Sequence, residues 1–341
     1  MGKFLESEKI RQANLKVKSP YFSKTARKDG IYSGKPRPFC LPVDCAEENL
    51  FFEIRQNALK YFDAYKIKWH DRREKDNLKL SNHLCDSQIC CVNFLFPFAQ
   101  NPDILADFLR PIFPNLQKML PIENNQYVAF EWTGLKDHLG ETKSHSGKCT
   151  RGANCTSADA VVMFKRSDGK QQMVLIEWKY TESYRSIFLR FATSGTDRTK
   201  TYKPFYIQGD CPINKELLPS FDSLFYEPFY QFMRQQLLAR EIEKARELEN
   251  DVVSVLHIAP ALNTDFYRIT SPKLSKLGEK AIDVWKSLVP KGKRFISVST
   301  ERLFCNLFTN HSPEIQAWVD YITKRYAWVQ IGSMDYSRYK I

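Results

Sequence analysis

The chain has 341 residues, 43% hydrophobic and 26% charged, which is ordinary globular material able to build a sizeable core. Its 51 basic residues exceed its 39 acidic ones by twelve, a balance that favours a polyanionic partner. The longest apolar runs, such as Ile89–Phe98, are too short and too interrupted to span a bilayer, and "MGKFLESEKIRQ" has no apolar signal region. A soluble, cytoplasmic protein with no membrane contact is therefore expected. Gly2 does not read as a myristoylation site, because Glu6 stands where Ser or Thr is needed. Nine cysteines, an odd number, predict free thiols. Cys40 and Cys45, then His138, His145, Cys149 and Cys155, lack the C-x2-C spacing of a zinc module, so core and loop thiols are expected and zinc is not.

Residues 1–40 hold ten Lys or Arg against three acids and are expected to form a basic arm, either solvated or following phosphates. After "GKPRPFCLP", Asp44 is the expected N-cap of a helix through "AEENLFFEIRQNALKYFDAY", with Leu50, Ile54, Ala58 and Phe62 as its apolar stripe. "IKWHDRREKDNLKLSNHL" is polar and reads as loop. "CDSQICCVNFLFPFA" predicts a short buried helix stopped near Pro97, and "NPDILADFLRPIFP" another stopped by Pro111 and Pro114. "QYVAFEWTG" is a strand ended by Gly134, followed by a polar loop over 135–156. "ADAVVMFKR", the turn "SDGK" and "QMVLIEWKY" form a hairpin. A Tyr-, Lys- and Arg-rich insertion covers 181–226. It suits either stacking on bases or packing by its own aromatics. "EPFYQFMRQQLLAREIEKARELEN" is the strongest helix, and "DVVSVLHIAP" a strand ended by Pro260. "RFISVSTERLF" reads as a strand and "HSPEIQAWVDYITKRYAW" as a terminal helix. The expected fold class is α/β, a mixed central sheet flanked by helices. Its single domain spans 41–341, with a core at about 84–260 and an α/β extension at 261–341.

The chemistry gathers at the hairpin. Side chains alternate along a strand, so Glu177 and Lys179 share one face about 6.6 Å apart, while Ile176 and Trp178 take the other. Asp159 and Glu177 each lie about nine residues from the centre of the turn, so antiparallel pairing brings them nearly opposite. Facing carboxylates repel, and a hard divalent cation between them converts the repulsion into a binding site. A lysine beside it suits metal-assisted hydrolysis of a phosphodiester. An isolated E-x-K is usually a solvated pair, and only the added acid at hairpin register shifts that balance.

The order helix–strand–"D" hairpin–"ExK"–helix–strand resembles the PD-(D/E)XK nuclease superfamily, with its restriction-endonuclease-like αβββαβ core. Asp159 matches the first acid, and Glu177 with Lys179 matches the ExK; Ser157-Ala158 stands where the motif has proline. "FFEIRQNALKYFDAYKIKWH", "DSQICCVNFLFPF", "RGANCTSADA", "IEWKYTESY" and "EPFYQFMRQQLLARE", over roughly residues 40–260, are similar to a bacterial restriction-endonuclease-like subfamily. The resemblance implies a Mg²⁺-dependent DNA endonuclease, with Mn²⁺ able to substitute, and a role in defence against foreign DNA. Asp159 and Glu177 would be metal ligands, Glu131 an accessory ligand, and Lys179 the residue assisting water. Gln231 is similar to the glutamine after the motif in RecB-like nucleases, with Gln235 one turn later as its alternative. Gln88 would face the site or DNA, and Tyr180 or Tyr184 would approach a phosphate. DNA contact through the basic arm and insertion, and pairing into a homodimer, fit the same resemblance. The alternative is a nuclease fold that binds nucleic acid or a protein without cutting.

Overall fold

The computed structural model describes residues 2–70, 79–142, 148–290 and 294–330. Helix α1 covers Lys3–Lys18, and a small hairpin pairs β1 (Gly30–Tyr32) with β2 (Lys35–Arg37). Helices α2 (Arg55–Ala64), α3 (Ser87–Leu95) and α4 (Pro102–Leu109) follow. Strands β3 (Leu116–Leu120), β4 (Val128–Trp132), β5 (Ala158–Arg166) and β6 (Gln171–Trp178) then build most of a sheet. Helix α5 (Thr199–Tyr206) lies in the insertion, and α6 (Phe229–Ala245) leads into β7 (Val252–Ala259). The chain continues through α7 (Ala281–Leu288), β8 (Phe295–Ser299), α8 (Thr300–Thr309) and α9 (Gln316–Arg325).

The main sheet has six strands in the order β3-β5-β6-β7-β8, with β4 paired to β5 beside β3. β5 runs antiparallel to β3, β4 and β6, whereas β6, β7 and β8 are parallel, so the sheet is mixed as expected. β5 and β6 are apolar on both faces because both faces are covered. Ile176 and Trp178 enter one core with α3, and Met173 and Leu175 enter the other with α6. Local capping sets several boundaries. Asp86 accepts from the amide of Ile89 at the start of α3, and Asn101 from that of Ile104 at the start of α4.

Five expectations change. The helix expected from Asp44 splits into a 3-10 turn at Val43–Asn49 and α2, and the Asp44 side chain makes no cap bond. The strand expected through "STERLF" ends at Ser299, whose hydroxyl caps α8 by accepting from Arg302. β3 and α7 are additions. In the segment read as a basic arm, α1 is a folded helix that buries Glu8, Gln12 and Lys16. Lys16 Nζ donates to the carbonyls of Lys28 at 2.8 Å and Cys40 at 2.9 Å, and Gln12 Nε2 to that of Arg325 at 2.8 Å. The thiol expectation is also corrected: Cys149 and Cys155 are joined in a disulfide, while Cys90 and Cys91 are buried and free. Among the described residues no helix is long and apolar enough to cross a membrane.

Candidate active site

Strand register brings the acids together. Ala160 pairs with Ile176, so the next step of that ladder sets Asp159 against Glu177. Asp159 Oδ2 accepts the backbone N–H of Trp178 at 2.6 Å, which clamps the end of β5 to the end of β6. Lys179 extends β6 by donating its amide to Ile258 on β7 at 2.8 Å. Its ammonium contacts Glu177 Oε1 and lies 3.9 Å from Asp159 Oδ2. Both carboxylates thus share one positive charge. Glu177 is 1% exposed, Lys179 5% and Asp159 21% on the side chain, so the set is recessed and only Asp159 approaches the surface.

Electrostatics follow from this closeness. Burial, then the charge of Glu177, push the Asp159 carboxyl well above its ordinary range. The Lys179 ammonium is held well above its usual value, because the attraction of Glu177, Tyr184 and Asp159 outweighs the cost of burial. One oxygen, Glu177 Oε2, is buried with no hydrogen-bond partner. A buried carboxylate oxygen of this kind carries a desolvation cost unless a donor or cation meets it. The donor set is all oxygen, which suits a hard cation such as Mg²⁺. The carboxylates of Glu131, Asp159 and Glu177 do not gather within 4.8 Å of one another; the ammonium occupies the space between the last two.

Glu131 is not an exposed strand end. It is 2% exposed and sits in the left-handed region at φ +50°, a conformation rare outside glycine. Phe130 and Trp132 keep their pairing with Ala160 and Ala158 on either side, so the kink re-aims only the Glu131 side chain. There Gln88 Nε2 donates to Oε1 at 2.7 Å, Ser157 Oγ to Oε2 at 2.9 Å, and His70 Nε2 lies 3.3 Å away. Gln88 therefore faces Glu131. Gly152, at φ +75°, closes the preceding loop over this acid; a Cβ there would meet the Lys68 carbonyl at 2.6 Å and Glu131 Cγ at 3.4 Å.

Gln231 hydrogen-bonds none of the central three. Its Oε1 accepts from the Tyr184 hydroxyl at 3.3 Å, and Tyr184 lies against the Lys179 charge. Gln235 Nε2 donates to the Ser157 carbonyl at 2.6 Å, two residues before Asp159. The Tyr180 hydroxyl is buried on the other face of the sheet and donates to Glu8 of α1. The His138 side chain is buried against Glu247 at 2.7 Å and is not exposed. His145 lies outside the described residues. The one three-residue group whose ligand atoms do lie within 4.8 Å, among the described residues, is Asp137 with Cys149 and Cys155, and there the two sulfurs are bonded to each other.

Three neighbours escaped sequence reasoning. Arg234, three residues after Gln231 on α6, acts on the Glu177 charge and donates to Thr156 Oγ1 at 3.3 Å. Helical i, i+3 spacing from Gln231 was the available signal. Glu227, at the entrance to α6, is buried, and burial raises its carboxyl; its Oε2 accepts from the Gln231 amide at 3.2 Å. His257 pairs with Glu177 across β6–β7 and with Ser297 across β7–β8, its Nδ1 3.0 Å from Ser297 Oγ. Burial, then the charge of Lys179, hold this imidazole well below its usual value.

No curated protein and no solved structure matches the chain. The family model described as "Restriction Endonuclease associating with ARP" matches residues 6–327. That match takes in the recessed Asp159–Glu177–Lys179 set, the kinked strand carrying Glu131 and the α6 helix behind them, and the chain belongs to this restriction-endonuclease family.

Proposed function

We propose that the protein is a Mg²⁺-dependent nuclease of the PD-(D/E)XK type that hydrolyses phosphodiester bonds in DNA. The observation that carries this reading is the pairing of Asp159 with Glu177 at strand register around the Lys179 ammonium, with Glu177 Oε2 buried and unpartnered. Asp159 and Glu177 would hold the ion, with Glu131 accessory to them. The bound ion would polarise a phosphoryl oxygen and make its water more acidic. Lys179 stays protonated beside its carboxylates, so it acts by donating hydrogen bonds to the attacking water or to the charge growing on phosphate, not as a base. Tyr184 of the insertion, hydrogen-bonded to Gln231 of α6, lies within electrostatic reach of that ammonium. Mn²⁺ would replace Mg²⁺ on the same oxygens. Cleavage of foreign DNA in defence is the role in keeping with the family.

The test incubates purified protein with supercoiled plasmid in Mg²⁺, Mn²⁺ or EDTA, beside Asp159→Ala and Lys179→Ala. Breakdown by the wild type alone, blocked by EDTA, is expected. Equal breakdown by all three proteins would sink the assignment. DNA binding without any breakdown would leave a binding module on a nuclease fold. Nicked product would mark a single copy at work, and linear product a pair of copies cutting both strands.

A further inference from the structure

A groove of about 620 Å³ runs beside the recessed site, between the loop carrying Cys155 and helix α5 of the insertion. Its basic lining is Arg198, Lys200 and Arg234. Arg198 and Arg234 both place their guanidinium groups over one ring, that of Tyr230, at 5.3 Å and 4.8 Å. Like charges on one ring repel, and a carboxylate would ordinarily be recruited to them. Instead the acids in the lining are engaged elsewhere. Glu141 takes the amide and hydroxyl of Thr156 and the hydroxyl of Tyr202, while Asp197 takes Arg190 and Thr199. Among the described residues none of the three bases makes an ion pair, and Arg234 Nε is buried with no hydrogen-bond partner. The result is a groove whose three bases outnumber its two acids; Arg234 feels the charge of Glu141 and Arg198 also donates to the Leu189 carbonyl at 2.6 Å, and the remaining excess of positive charge is the chemistry of an anion site.

Arg234 ties the groove to the cleavage site. It donates to Thr156, three residues before Asp159, and its charge acts on Glu177. An anion lying along Arg198 and Arg234 is therefore on the side where Thr156 leads into β5, the strand that carries Asp159. Burial of Glu177 and Lys179 also constrains what can enter. Phosphates of a duplex lie on a wide convex cylinder, whereas a single strand can lead with one phosphate into a narrow cleft.

We propose that this groove binds the phosphate backbone of a single nucleic-acid strand, with Arg198, Lys200 and Arg234 as its phosphate contacts. The proposal rests on the nuclease reading of the adjoining site, but its test does not use cleavage. The probe is a fluorescein-labelled 12-nucleotide single-stranded oligodeoxynucleotide. Its binding is followed by anisotropy in EDTA over a range of salt, against a duplex of the same length. The single strand should bind at least about fivefold more tightly than the duplex. Arg198→Met and Lys200→Met should each weaken single-strand binding and flatten the plot of log affinity against log salt by about 0.7, the amount for one lost phosphate contact. Arg234→Met should do the same. Because that residue is more enclosed, the exposed Lys200 keeps the test decisive if the Arg234 variant fails to fold. Lys118→Met, on β3 outside the groove, should leave both quantities unchanged. Equal or tighter binding of duplex would overturn the proposal, as would unchanged affinity and slope in the Arg198 and Lys200 variants. Strand binding by this groove in a protein that never cuts DNA would refute the nuclease reading and leave the groove standing.

Discussion

Asp159 and Glu177 face each other across the β5–β6 ladder, and Lys179 supplies the positive charge they share. Burial, then the negative charge of Glu177, raise the Asp159 carboxyl, and the single ammonium only partly offsets them. Asp159→Asn removes the repulsion and keeps an oxygen to accept the Trp178 amide. The variant should be more stable than the wild type by about 1–2 kcal/mol, a melting-temperature rise of a few degrees. Its cleavage rate should fall by about 100-fold or more. Calorimetry paired with a plasmid assay checks both. A variant that melts earlier would contradict the charge argument.

Lys179 invites a double-mutant cycle. Lys179→Met leaves Glu177 buried without its counter-charge and should cost about 3–5 kcal/mol. Adding Glu177→Gln removes that stranded charge and should recover most of the loss, so the two effects will not add. Urea denaturation of the four proteins measures the coupling. Additive losses would mean that the pair is not an energetic unit.

Gln88 holds Glu131 without belonging to the central set. Gln88→Leu should weaken Mg²⁺ or Mn²⁺ affinity by about tenfold and also cost about 1–3 kcal/mol of stability without ion, because it strands buried polar groups around Glu131. Titration calorimetry with the ion alone is the measurement. Unchanged affinity would remove Glu131 from the proposed ion site.

The loop before β5 hangs on Arg151. That side chain donates to Glu123 at 2.6 Å and to the Phe130 carbonyl, and lies over the rings of Tyr61, Tyr65 and Trp132. Arg151→Met should destabilise the protein by about 2–3 kcal/mol and raise amide exchange over residues 148–157 first, ahead of the sheet. Uniform exchange across the chain would show that the loop and sheet open together.

Glu301, fully buried at the start of α8, has its carboxyl raised from 4.5 to about 7, chiefly by burial. A folded-state value above the unfolded one favours the neutral form. Its stabilising effect is therefore complete below about pH 4.5 and is lost as pH rises through about 7. The loss is on the order of 3 kcal/mol. Glu301→Gln should melt higher than the wild type at pH 8 and equally at pH 4.5. A gap that is the same at both pH values would refute the titration.

Period and register made much of the site legible. The β5–β6 hairpin has an Asp-Gly turn between two continuous apolar runs, so counting outward from the turn places Asp159 against Glu177. Helix α1 defeated the same reasoning because the stripe it buries is Glu8, Gln12 and Lys16. Its burial depends on carbonyls and hydroxyls supplied by distant segments, which no local pattern announces. The kink at Glu131 was equally hidden, since a positive φ at a non-glycine residue is set by tertiary contacts from Gln88 and Ser157. Arg234 was visible only as one charge on a charged helix. That it forms no direct ion pair among the described residues, although Glu141, Glu227 and Glu177 lie near, is a property of the folded surroundings.

The bond from Gln12 to the carbonyl of Arg325 joins residues 313 apart. Tyr180, beside Lys179, is held from the same helix by Glu8. During synthesis, the β5–β6 hairpin emerges long before Arg325 does. Until that late segment leaves the ribosome, α1 cannot complete its seat and the backbone next to Lys179 lacks its final brace. The Asp159–Glu177–Lys179 set is thus expected to reach its folded geometry only when nearly the whole described chain is present, because its bracing contacts come from far along the chain.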